Sequence, residues 1–128
     1  MIIGIGIDII EINRIDDSVQ RFGKAFLDRI YSAKEQQERS ERTYFAGRWA
    51  AKEAISKALG TGIGKDCSWL DIEILNNEAG APVAVLSGVA AKRLKSLGGS
   101  KVHISISHER TNAVAMAIIE NGCVLNID

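Results

Sequence analysis

The chain has 128 residues, 46% of them hydrophobic and 25% charged, with sixteen basic side chains matched by sixteen acidic ones. That length and mixture fit one globular domain spanning residues 1–128 and exclude a disordered or fibrous chain. A net charge of zero offers no general attraction to nucleic acid or to an anionic membrane, so neither is expected as a partner.

The apolar run over residues 1–7 has no basic region before it and is ended by Asp8. It reads as a buried strand over residues 2–10, not as a leader or a membrane span. Alternation sets Ile3, Ile5, Ile7 and Ile9 on one face and Gly4, Gly6 and Asp8 on the other, where the glycines leave room for another backbone. Residues 18–31 are helical in pattern with mixed charge, and Ser32 with Glu35 forms a capping-box pair. Residues 34–43 are charged enough to be a solvated face or a connecting helix.

The most informative stretch covers residues 45–60. At 3.6 residues per turn, Gly47, Ala50, Ala51, Ala54, Ile55 and Ala58 fall on one side. Arg48, Trp49, Lys52, Glu53, Ser56 and Lys57 fall on the other. Such a helix can lie close to a sheet on its small face while its other face presents cations and a carboxylate. Gly60, Gly62 and Gly64 end it.

Residues 70–75 alternate as a half-buried strand, the turn over 76–80 leads into a hairpin partner over 82–86, and Ser87 caps a short helix that Gly98 and Gly99 stop. Val102, Ile104 and Ile106 alternate with His103, Ser105 and Ser107 in a further strand. Residues 111–119 are apolar on both faces, as a central strand should be, and 122–127 suit an edge strand. Short connections favour antiparallel pairing. The expected class is α+β, a mainly antiparallel sheet packed against a long amphipathic helix. Cys67 and Cys123 lie far apart without metal-ligand spacing, and are expected as two reduced thiols of a cytoplasmic protein.

Asp8 and Glu53 converge if the helix packs on the glycine face of the first strand. Two carboxylates about 4 Å apart repel by roughly 4 kcal/mol at an effective dielectric near 20. They would therefore need a proton or a cation, and hard oxygen ligands without thiolates suit magnesium. The competing reading has Asp8 capping a turn and Glu53 pairing with Lys57 four residues on. Arg48, Lys52 and Lys57 are the candidates for binding phosphate, pointing together into one cleft. The alternative is a solvated helix face, which the exposed indole of Trp49 argues against. His108, where the chain turns after an apolar strand, would bind phosphate when charged or accept a proton when neutral. The glycine loop at 60–64 follows a helix, so it is no Walker-type phosphate loop.

Several motifs together resemble one family. Gly4-Ile5-Gly6-Ile7-Asp8-Ile9-Ile10-Glu11, the run from Phe45 to Ala58 with Arg48, Lys52, Glu53 and Lys57, Gly60-Thr61-Gly62-Ile63-Gly64, Gly80-x-Pro82 and Ser105-Ile106-Ser107-His108 are similar to signatures of the holo-acyl-carrier-protein synthases. These are the short bacterial type of phosphopantetheinyl transferase. The resemblance implies that fold and transfer of phosphopantetheine from coenzyme A to a serine of apo-acyl carrier protein, releasing adenosine bisphosphate. It also implies that Asp8 and Glu53 ligate Mg2+, that Arg48, Lys57 and His108 hold coenzyme A phosphates, and that Glu53 and Lys57 are catalytic. A homotrimer with sites between subunits is expected, with Arg14, Arg21 and Lys24 docking the acidic carrier.

Overall fold

The computed structural model describes residues 1–122. Cys123 and all but the first residue of the expected strand over 122–127 lie outside the described residues.

The first strand, β1 (Ile2–Glu11), runs directly into helix α1 (Ile12–Phe22). Gly23, at φ 57°, then breaks the chain before α2 (Lys24–Ile30), a backbone turn that a residue with a Cβ resists. The expected capping box is present: Glu35 N–H donates to Ser32 Oγ and Ser32 N–H to Glu35 Oε1, opening α3 (Ala33–Glu38). The long helix α4 spans Arg42–Ala58. A short 3-10 turn (Trp69–Asp71) leads into the hairpin of β2 (Ile72–Asn76) and β3 (Pro82–Leu86), followed by α5 (Gly88–Ser96), β4 (Gly99–His108) and β5 (Asn112–Asn121). Ser87 stands at the N-cap of α5 but its hydroxyl does not cap it. Asp71 Oδ2 accepts the Ala90 N–H instead.

Three strands form one antiparallel sheet in the order β1-β5-β4, with β5 central as its two-sided apolar pattern requires. β2 and β3 form a separate pair. The expected α+β class, an antiparallel sheet against a long helix, is the observed architecture. Small residues set the distance between the two. Gly4 and Gly6 on β1 face the backbone of α4, Ala113, Ala115 and Ala117 on β5 are fully buried beside them, and Ala50, Ala51, Ala54 and Ala58 answer from the helix. A Cβ on Gly6 would strike the Ala54 carbonyl and stand 2.8 Å from Ala58 N. Without side chains between them, helix and strand bring their flanking residues within reach of each other.

Two expectations need correction. β1 is buried on its glycine face only: Ile5, Ile7 and Ile9 are 64%, 58% and 65% exposed. The period-2 pattern gives the face correctly, but the chain folds its helix onto the glycines and leaves the isoleucines outside.

Helix α4 does not have one solvated side either, because Arg48, Lys52 and Ser56 are buried. Lys52 is fully enclosed and donates to Glu35 Oε1 at 2.7 Å, to the Ile30 carbonyl at 2.7 Å and to the Trp69 carbonyl at 3.3 Å. Glu35 in turn accepts from Ile74 N–H. This pair pins α3, α4 and β2 together, so Lys52 is a structural cation and not a ligand for phosphate. Burial pulls its pKa down, while Glu35 acts the other way. The charged segment before α4 is likewise internal at Glu35. Trp49 finds its partner in Trp69, ring centroids 5.3 Å apart.

Candidate active site

Asp8 leaves the far part of β1, paired in register with Ala115 of β5, on the face that α4 covers. Lys57, in the last turn of α4, reaches back to it: Nζ lies 2.9 Å from Asp8 Oδ1 and 3.0 Å from the Ile7 carbonyl. Glu53, one turn earlier, feels both groups. Its pKa is raised, first by burial and then by the like charge of Asp8, with Lys57 pulling it back. The three side chains therefore form one cluster, and Lys57 pairs with Asp8 across elements, not with Glu53 along the helix.

The other oxygen of the aspartate carries the clearest chemical sign. Asp8 Oδ2 is buried and has no hydrogen-bond partner, alone in this among buried side-chain atoms of the described residues. A buried carboxylate oxygen left unpaired is costly, so a site that retains one is suited to a cation. No group of three or more His, Cys, Asp or Glu side chains that could hold a metal occurs among the described residues. Two carboxylates, one with an open oxygen, match the needs of Mg2+, which takes one or two protein carboxylates and completes its shell from water and phosphate. The residues present thus fit that ion.

Arg48 and His108 meet elsewhere. They line a cavity of about 430 Å3 with Arg39, Tyr44, Gly80 and Pro82. The Arg48 guanidinium is tightly held: Nε donates to the Ile74 carbonyl, Nη2 donates to Glu38 Oε1 and Asn76 Oδ1, and the group lies over the Tyr44 ring at 4.4 Å. Nη1 alone makes no hydrogen bond among the described residues, which leaves that donor for a ligand. Glu38, Asn76 and Tyr44 are parts of this site that the sequence reading lacked. Only the fold brings α3 and the end of β2 against α4, and no local motif marks them.

The single cleft expected for Arg48, Lys52 and Lys57 is not present. Lys57 lines a different cavity, about 490 Å3, with Ile5, Gly6, Ile7 and Met116. Arg48 and Lys57 are nine residues apart, and at about 100° per residue they fall on opposite sides of one helix. Spacing of i,i+4 places neighbours along one face, but it does not carry around the helix from Arg48 to Lys57. His103, by contrast, is exposed and contacts Glu120 at 2.6 Å.

The sequence and the fold both have counterparts among known proteins. Residues 4–118 match the model of the 4'-phosphopantetheinyl transferase superfamily. A holo-[acyl-carrier-protein] synthase of Natranaerobius thermophilus is 47% identical over 93% of this chain and 98% of its own length. The chain belongs to the holo-acyl-carrier-protein synthase family. It is accordingly an enzyme of the phosphopantetheinyl transferase class. Solved members of the family share its fold: the Helicobacter pylori enzyme in complex with coenzyme A matches with a TM-score of 0.83 at 38% identity, covering 91% of this chain and 99% of that one. The Bacillus anthracis enzyme, in complex with CoA (3',5'-ADP), gives 0.79 at 41% identity, covering 95% and 99%.

Candidate docking groups stand on α1 and α2. Arg14 and Arg21 are exposed and make no ion pair among the described residues, whereas Lys24 is tied to Asp28 at 3.1 Å. No helix among the described residues is long and apolar enough to cross a membrane.

Proposed function

We propose that this enzyme transfers phosphopantetheine from coenzyme A to a serine of apo-acyl carrier protein, in an Mg2+-dependent reaction that releases adenosine 3',5'-bisphosphate. The serine Oγ forms a bond to the phosphorus carrying the pantetheine arm. The pyrophosphate P–O bond on the adenosine side breaks, and the serine proton passes to a base. The observation that carries this reading is the unpartnered Asp8 Oδ2 beside Glu53 and Lys57, in a chain whose relatives are solved with coenzyme A bound.

Asp8 and Glu53 would hold the metal. When bound, Mg2+ supplies charge neutralisation for the phosphoryl oxygens. Lys57, half exposed at the edge of the cluster, adds a cation for the same oxygens. Glu53 serves as proton acceptor, directly or through a water. Arg48 through Nη1, together with His108, would bind coenzyme phosphate in the 430 Å3 cavity. Docking of the acidic carrier uses Arg14 and Arg21, with Lys24 released from Asp28 or contributing through it.

Because the Arg48 and Lys57 cavities lie on opposite sides of α4, one chain does not present a continuous donor site. The Lys57 cavity opens among Ile5, Ile7 and Met116, on the exposed apolar face of the sheet. A homotrimer that covers this face and completes each site from a neighbour accounts for both features. The protein acts in the cytoplasm, supplying active carrier to fatty acid biosynthesis. Intact-mass spectrometry of apo-acyl carrier protein incubated with the enzyme, coenzyme A and Mg2+ is the test. A gain of one phosphopantetheine, abolished by a chelator, is expected; an unchanged carrier mass refutes the reading.

A further inference from the structure

Asp8 and Lys57 are unequal partners. Asp8 is 13% exposed on a strand locked against α4 by its glycines, while the Lys57 side chain is 49% exposed on a flexible four-carbon stem. The lysine stem has the greater freedom to rearrange. Its ammonium occupies Oδ1, the oxygen of Asp8 that is not orphaned, and is held there by a second acceptor, the Ile7 carbonyl. Glu53 adds a second negative charge with no direct ion pair of its own among the described residues.

We infer that Lys57 is the resident counter-ion of Asp8 and competes with a divalent cation for it, so that the cation seats fully only when anionic groups of the donor draw the ammonium away. This rests on the assignment of Asp8 and Glu53 to the metal under Proposed function, and deepens it. An ammonium on Oδ1 blocks one coordination direction and repels a second cation a few ångströms off. Phosphate oxygens offer the lysine an alternative partner, and its half-exposed stem leaves it room to turn to one. By linkage, the donor tightens the cation by the same factor as the cation tightens the donor. Metal and coenzyme thus load together instead of metal first.

The test measures Mn2+ binding to the full chain without coenzyme, by electron paramagnetic resonance of the free ion. Lys57→Met and Lys57→Gln are each expected to bind Mn2+ about tenfold more tightly than the unaltered chain. The double variant Asp8→Asn with Lys57→Met is expected to lose that gain. If both Lys57 variants bind Mn2+ no tighter, while Asp8→Asn binds it more weakly than the unaltered chain, the competition is refuted and the metal site stands. If Asp8→Asn leaves Mn2+ binding unchanged both with and without coenzyme A, the metal assignment fails and the inference with it.

Discussion

Gly6 on β1 sits directly beneath the Ala54 carbonyl of α4, with no space for even one added carbon. That contact sets the separation from which Asp8, two residues on along the strand, meets Glu53 and Lys57. Gly6→Ala is expected to cost about 3 kcal/mol, lowering the melting temperature by roughly 10 °C. Gly64, whose Cβ would meet nothing within 4 Å, is the control. Gly64→Ala is expected to stay within about 0.5 kcal/mol, and thermal unfolding by circular dichroism compares the two.

Glu53 carries the opposite signature, a side chain that serves the site at the expense of the fold. Its raised pKa means that the folded state binds its proton more tightly than the unfolded state does. Stability from this group is therefore fully present below the unfolded value, about 4.5, and is lost as pH rises through the folded one. Glu53→Gln is expected to raise the melting temperature at pH 7 by about 1–3 °C, with the gain vanishing near pH 4, where both states are protonated. Carrier modification should fall about 10³-fold in the same variant. A melting temperature unchanged or lowered at pH 7 would contradict the electrostatic account.

The sequence made legible what depends on local period and on short motifs. The glycine face of β1, the Ser32–Glu35 capping box, the β2–β3 hairpin and the central place of β5 all follow from patterns a few residues long. Asp8 and Glu53 were legible as a pair because glycines opposite alanines announce a close approach. What local pattern could not supply was the environment of a charged helix. Arg48, Lys52 and Lys57 are all cations on the polar part of one helix, yet α3 and β2 enclose the first two and leave the third at the sheet. Those neighbours are recruited by Glu35 and Glu38, which look like solvated acids in sequence. The exposed isoleucines of β1 were hidden for the same reason, since an apolar strand face reads as buried whether the chain itself or another copy covers it.

Lys52 separates the structural role from the ligand-binding one. Both it and Glu35 are fully buried, and removing one partner leaves the other charge without compensation. Lys52→Met is expected to destabilise the fold by about 3–5 kcal/mol, read as a lower midpoint in urea unfolding. Under conditions where the variant remains folded, its KM for coenzyme A should match that of the unaltered enzyme. A selective rise in KM with intact stability would return Lys52 to the phosphate site.

The outer face of the sheet gives the assembly its test. Ile5, Ile7 and Ile9 project from β1, and Met116, paired in register with Ile7, is 41% exposed beside them. Contiguous apolar surface of this kind marks an interaction site. Ile7→Asp places a charge where a neighbouring subunit would have to desolvate it, a penalty that association between subunits does not overcome. Since Ile7 is 58% exposed in the single chain, the fold itself tolerates the change. Light scattering after size exclusion is expected to show the proposed trimer for the unaltered chain and monomers for the variant, while circular dichroism stays unchanged. Turnover should drop about 10²-fold, because the coenzyme loses the surface that aligns it. An Ile7→Asp variant that remains a trimer, or a monomer that retains full turnover, would refute a site shared between subunits.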